Sequence, residues 1–158
     1  ASSVIIAEED ARMGFPEILF NLFPGMGAYS FLSRKVGRRT TDELITSGAI
    51  RTARELYDMG VVDVITPAGT GEAAVESYVR RHQRSANGRR GIEAIAKEMN
   101  PLAHEELVRI VELWADAALR LSDRDLKMMD RLVRAQQRVQ ATEAAGSNVV
   151  PLAVGEGD

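Results

Sequence analysis

Glu17 is the one charged side chain in the run Gly14-Phe15-Pro16-Glu17-Ile18-Leu19-Phe20-Asn21-Leu22-Phe23, and a Pro24-Gly25-Met26-Gly27 turn follows it. Pro16 suits the first position of a short helical turn, because its missing N–H would have no helical acceptor there. Glu17 then sits where the turn's dipole favours an anion, while its apolar neighbours favour the protonated carboxyl. A carboxyl group held between those pulls is suited to general acid/base chemistry; a solvated first-turn carboxylate is the competing reading. Gly25 and Gly27 let backbone come close to a ligand, and free amides there could hold a water or an anion. The pair lacks the Lys and Ser/Thr of a phosphate loop and the third glycine of a dinucleotide fingerprint.

Other groups carry weaker chemistry. Glu8-Glu9-Asp10 reads as a solvated acidic turn, since no further ligands are spaced around it, and no metal is expected. Arg80, Arg81, Arg84, Arg89 and Arg90 crowd around Asn87-Gly88. They read as a phosphate-binding cluster, for example for a nucleotide-like cofactor tail, or as a solvated basic face. His82 and His104 have no nucleophile or ligand beside them and read as surface or structural. The chain has no cysteine, which excludes disulfides, thiol catalysis and Cys-based metal sites.

The elements that must position Glu17 follow from pattern. The 158 residues are 45% hydrophobic and 27% charged with net charge −3, ordinary for a soluble globular domain and without a basic bias toward nucleic acid or anionic membrane. No apolar run approaches the roughly 20 residues of a membrane helix, and no secretory signal is visible, so cytoplasm is the default. Residues 3–7 read as a buried strand. A helix over 28–36 should stop at Gly37. Thr40-Thr41-Asp42-Glu43 and Thr52-Ala53-Arg54-Glu55 have capping-box spacing, with stops at Gly48 and Gly60. Residues 61–65 read as a second strand, closed by Thr66-Pro67-Ala68-Gly69. Helices are expected over 72–82 and 92–99, with a break at Asn87-Gly88 and a stop at Asn100-Pro101. Leu107, Ile110, Val111, Trp114, Ala118 and Leu121 recur at helical spacing. Ser122-Asp123-Arg124-Asp125 then caps a helix bearing Leu126, Met129, Leu132 and Val133, and the two should form a packed helical hairpin. Trp114, Met129 and Leu132 read as core or as an apolar pocket wall. From Ala141 the composition is that of a mobile tail. A strand at the very start has no partner of its own, so the chain reads as the later part of a longer protein.

Ser2–Ala7, Gly14-Phe15-Pro16-Glu17-Ile18, Phe23-Pro24-Gly25-Met26-Gly27, Ser33-Arg34-Lys35-Val36-Gly37, Leu44-Ile45-Thr46-Ser47-Gly48, Ala53–Gly60 and Val61-Val62-Asp63-Val64 resemble, in order and near spacing, the enoyl-CoA hydratase/isomerase (crotonase) superfamily. Phe15–Phe20, Phe23–Phe31 and the stretch from Glu112-Leu113-Trp114 to Arg134-Ala135-Gln136 are similar to the subgroup that makes diffusible signal factors, the cis-2-unsaturated fatty acids of bacterial quorum sensing. The resemblance implies an α/β fold, the C-terminal part of a β-β-α spiral, mostly helical in this chain with short strands near 3–7 and 61–65. It divides the chain into spiral core (1–66), a helical region forming pocket lid and oligomer contacts (67–140) and a tail (141–158).

The resemblance also implies roles. Two backbone amides polarise a thioester carbonyl, and two glutamates handle water and protons at the adjacent carbons. Glu17 falls on the second glutamate and Gly25 on the glycine whose amide helps hold the reacting water. Met26, Trp114 and Leu132 fall where the subgroup lines its acyl pocket. The first glutamate and the oxyanion amides fall before Ala1, so this chain alone should be inactive. The expected reaction is dehydration of a 3-hydroxyacyl thioester to a 2-enoyl product, with thioester hydrolysis releasing the acid. The expected partners are an acyl thioester on CoA or acyl carrier protein, no other cofactor, and copies of the chain in a trimer or paired trimers. Alternatives are an enoyl-CoA hydratase/isomerase of fatty-acid metabolism and a non-catalytic helical interaction module.

Overall fold

A computed structural model describes residues 2–146. In chain order the elements are β1 (Ile6–Glu8), β2 (Arg12–Gly14), a 3-10 turn (Pro16–Phe20), α1 (Ala28–Ser47), β3 (Ile50–Thr52), α2 (Ala53–Asp58), β4 (Val64–Thr66), α3 (Gly71–His82), a 3-10 turn (Gln83–Ser85), α4 (Ala86–Met99), α5 (His104–Ala118) and α6 (Asp123–Gly146). The α/β class and the helical bias expected from the sequence hold. The chain divides into two compact units, the first ending at Leu121 and the second beginning at Ser122. The boundary expected at residue 66 therefore lies inside the first unit.

β1 and β4 pair in parallel, Ile6 opposite Val64 and Glu8 opposite Thr66. β2 and β3 pair antiparallel, Arg12 opposite Thr52 and Gly14 opposite Ile50. The strand expected over 61–65 starts later. The amides of Val61 and Val62 bond back to the Leu56 carbonyl at the end of α2, and pairing with Ile5 begins only at Asp63 and Val64. β2 and β3 are too short and too polar to announce themselves by alternation. The core is Ala7, Leu32, Leu44, Ala53, Leu56 and Val62, with Phe15, Val36 and Ile65 among the residues packed around it. Burying a leucine such as Leu44, 1% exposed, is worth about 1.5–3 kcal/mol.

Helix punctuation was partly legible. The α2 capping box is complete: Thr52 Oγ1 accepts from the Glu55 amide and the Glu55 carboxylate accepts from the Thr52 amide. Gly48 ends α1 in the left-handed region. Gly37 breaks the helix as expected, at φ 79° and ψ 164°, but the second segment begins directly after it. Thr40–Glu43 is thus no cap; Thr41 is fully buried and its hydroxyl donates to the Gly37 carbonyl at 2.8 Å. Asn87-Gly88 does not break the chain's helical course. These residues lie in the first turn of α4, where amides lack helical acceptors anyway, and the interruption falls at the Gln83–Ser85 turn. The acidic turn is tied into the fold rather than simply solvated, since Glu8 Oε1 accepts from the Gly71 amide at 2.8 Å, at the start of α3.

α3, α4 and α5 bury no residue completely. α5 turns Leu107, Ile110, Trp114, Ala118 and the following Leu121 partly inward, but Val111 is exposed. Ser122 caps α6 through Asp125 as expected. α5 and α6 belong to different units. α6 runs to Gly146, so residues 141–146 are helix rather than tail; the rest of the expected tail, 147–158, lies outside the described residues. No described helix is long and apolar enough to cross a membrane.

Candidate active site

Glu17 is built into its place by neighbours of different kinds. Pro16 opens the 3-10 turn and puts Glu17 in its first positions, as the sequence predicts. Phe20 and Leu22 are buried, and Phe15 packs on the core. Asn21 closes the turn in the left-handed region, its amide bonding to the Glu17 and Ile18 carbonyls. The β2–β3 pairing fixes where the turn starts, and Ile18 and Leu19 lie against Gly48 at the end of α1. The result is a carboxylate whose Oε2 is sealed from solvent with no hydrogen-bond partner among the described residues. A buried acceptor left open forfeits roughly 1–3 kcal/mol, so the arrangement is poor for stability and suited to a ligand proton.

The Gly25–Gly27 turn is defined by what lies against it. A Cβ on Gly25 would sit 2.9 Å from Trp114 Cδ1 and 3.2 Å from its Nε1. Only a glycine admits the indole so close. Gly27 has φ 77°, and a Cβ there would meet Leu107 at 2.6 Å. Leu107 and Trp114 are seven residues apart on α5, two helical turns, and so lie on one face of it. Gly27 caps α1 with no side-chain acceptor. Met26 also has a positive φ, 55°, and is 91% exposed. Of the residues expected at the acyl pocket, Trp114 therefore meets Gly25, Met26 faces outward, and Leu132 is half-buried on α6 in the second unit.

One cluster near this site is not visible from the sequence. Arg34 on α1 holds Glu106 of α5 through two bonds, Nη1 to Oε1 at 3.0 Å and Nη2 to Oε2 at 2.8 Å. Ser30 donates to Glu106 Oε1 at 2.6 Å. The Arg34 guanidinium, then the Ser30 hydroxyl, hold the Glu106 carboxyl below the usual carboxylate range. These partners are 72 residues apart for Arg34 and 76 for Ser30, so no local pattern links them. The only local hint is that Ser30 and Arg34 stand four apart, on one helix face.

The arginine cluster resolves into a shallow surface groove lined by Ser77, Arg80, Arg81 and Arg84. Arg80 pairs with Glu76, and Arg89 reaches the Tyr78 hydroxyl. His82 bonds the Tyr78 carbonyl and stacks on its ring, a structural contact.

The enoyl-CoA hydratase/isomerase family model matches residues 1–139. The chain belongs to the enoyl-CoA hydratase/isomerase family. It is 35% identical to the 2,3-dehydroadipyl-CoA hydratase of Escherichia coli over 82 residues, 50% of this chain and 32% of that protein. It is 32% identical to the mitochondrial enoyl-CoA hydratase of Pongo abelii over 102 residues, 65% of this chain and 34% of that one. The fold is similar to part of the carnitinyl-CoA hydratase of Mycobacterium avium, with TM-score 0.65 at 21% identity over 86% of this chain and 52% of that one. An enoyl-CoA hydratase of Mycobacterium avium subsp. paratuberculosis gives TM-score 0.61 at 22% identity over 86% and 54%. The chain thus spans about a third of the length of those two curated hydratases and about half of these solved structures.

Proposed function

We propose that this chain supplies one acid/base glutamate and part of the acyl pocket of a dehydratase/hydratase acting on 3-hydroxyacyl thioesters. The observation that carries the reading is the sealed, unpartnered Oε2 of Glu17. In the dehydration direction the α-proton leaves to a carboxylate, and the β-hydroxyl takes a proton and departs as water, leaving the 2-enoyl thioester. Charge gathers on the thioester oxygen, where the family resemblance implies a stabilising pair of backbone amides. Glu17 shares the two proton transfers with the other glutamate that the resemblance implies, and Gly25 holds the water. Residues 1–66 carry the acid/base group, and Trp114, which meets Gly25, carries the pocket wall from the helical region.

The product is a cis-2-unsaturated acid released by thioester hydrolysis, as in signal-factor synthesis; the similarity of the Phe15–Phe31 and Trp114–Gln136 segments to that subgroup supports this. CoA is the favoured carrier, because the hydratases to which the chain is similar are named for CoA thioesters; acyl carrier protein is the other. A homo-oligomer is supported by the apolar residues Ile92, Ile95 and Met99 that α4 leaves exposed.

The test is Glu17→Gln in the full-length protein with a 3-hydroxyacyl-CoA, products read by mass spectrometry. Turnover should fall by about 10²–10⁴-fold, the usual contribution of a positioned acid/base, with the melting temperature held or raised. Near-normal turnover refutes the assignment. Absence of free acid alongside enoyl-CoA leaves a plain hydratase/dehydratase. An acyl-CoA that fails to raise the melting temperature of the parent protein returns the chain to a non-catalytic interaction module.

A further inference from the structure

We propose that Ser30, Arg34 and Glu106 form a positioning lock that sets how closely Trp114 closes over Gly25, and so which acyl lengths the pocket accepts. The proposal rests on the pocket reading above. Every N–H of the Arg34 guanidinium has an acceptor. Nε donates to the Asn100 carbonyl at 3.2 Å, Nη1 to the Ser30 carbonyl at 3.1 Å and to Glu106 Oε1 at 3.0 Å, and Nη2 to the Pro101 carbonyl at 2.7 Å and Glu106 Oε2 at 2.8 Å. A planar fork saturated this way has one orientation. It ties together α1, the Asn100-Pro101 joint where α4 ends, and the first turn of α5.

That first turn is the end of α5 from which the site is aligned. Glu106 is followed by Leu107, which meets Gly27, and two turns later the same face brings Trp114 to Gly25. A helix this short moves nearly as a rigid rod. A rotation or slide at Glu106 is therefore delivered to the indole. Gly25 leaves no slack on the other side, since even a methyl there would press on Trp114 Cδ1 at 2.9 Å. The chain thus fixes α5 at one end with charge-assisted bonds and leaves its other contacts to half-buried apolar residues. A brace meant only to hold α5 on α1 could use apolar packing throughout; a saturated guanidinium instead fixes angle as well as distance.

The experiment uses the full-length protein and three variants, Glu106→Gln, Arg34→Lys and Ser30→Ala. Trp114 emission is isolated by subtracting a Trp114→Phe control, and affinities are measured for saturated acyl-CoA thioesters of two lengths, which needs no turnover. Glu106→Gln should shift Trp114 emission to longer wavelength and change the ratio of the two affinities by about two- to fivefold, the scale of an ion pair that water partly reaches. Arg34→Lys should not restore the parent ratio, and Ser30→Ala should move it in the same direction by less. Unshifted emission, or shifted emission with an unchanged ratio, overturns the lock. If Glu106→Gln does not fold, Ser30→Ala decides by the same two readouts. An active Glu17→Gln would sink the acid/base assignment alone, since the lock is judged by emission and binding. A parent protein that binds neither thioester overturns both.

Discussion

At Gly25 the missing side chain is the determinant. Gly25→Ala would drive a methyl into the Trp114 indole, and such overpacking costs about 1–3 kcal/mol. Urea denaturation should show that loss, and Trp114 emission should shift with it. Glu106 gives a pH prediction with a definite sign. Its folded-state pKa lies below the ordinary 4.5, Arg34 being the largest cause and Ser30 the next. The group therefore releases its proton more readily folded than unfolded. Its contribution to stability is complete above 4.5 and disappears as pH falls through the lower folded value. The urea midpoint of the parent should exceed that of Arg34→Gln at neutral pH, and the gap should close on acidification through that window. A constant gap would mean the pair does not act through charge.

The elements differ in how much of their own boundary they encode. α2 is short, and its start is held by the Thr52–Glu55 box. Thr52→Ala should cost about 1 kcal/mol, the usual worth of an N-cap, measurable as a lower denaturant midpoint without a change in slope. Gly37 and Gly48 are local signals too, because each occupies a backbone region that a Cβ resists. Thr40–Glu43 mimics a cap by spacing alone. The helix has already restarted at that point, and the buried Thr41 hydroxyl bonds backward to Gly37. Asn87-Gly88 mimics a break, but a glycine in a first turn loses little of the helix's bonding. β2 and β3 carry no readable period over three residues each, so only their pairing reveals them.

Among the described residues the buried core cluster runs from Ala7 to Val62, while α3, α4 and α5 bury nothing completely. Local opening costs least where few apolar contacts must be broken. Hydrogen exchange of this chain should therefore show stronger protection at Leu32, Leu44 and Leu56 than anywhere in α4. Equal protection would mean that α4 is covered in solution by something other than the first unit's own residues. By itself the sequence determined the helical bias, the stops at Gly37 and Gly48, the α2 cap, the Pro16-led turn under Glu17 and membership of the family, because each is written in neighbouring residues. Tertiary structure decided that the Glu17 Oε2 is sealed and unpartnered, that Trp114 rests on Gly25, that Met26 faces outward, and that Arg34 grips Glu106. Each of those depends on which distant segment arrives alongside, and chain closure over roughly 70 residues leaves no periodic trace in sequence.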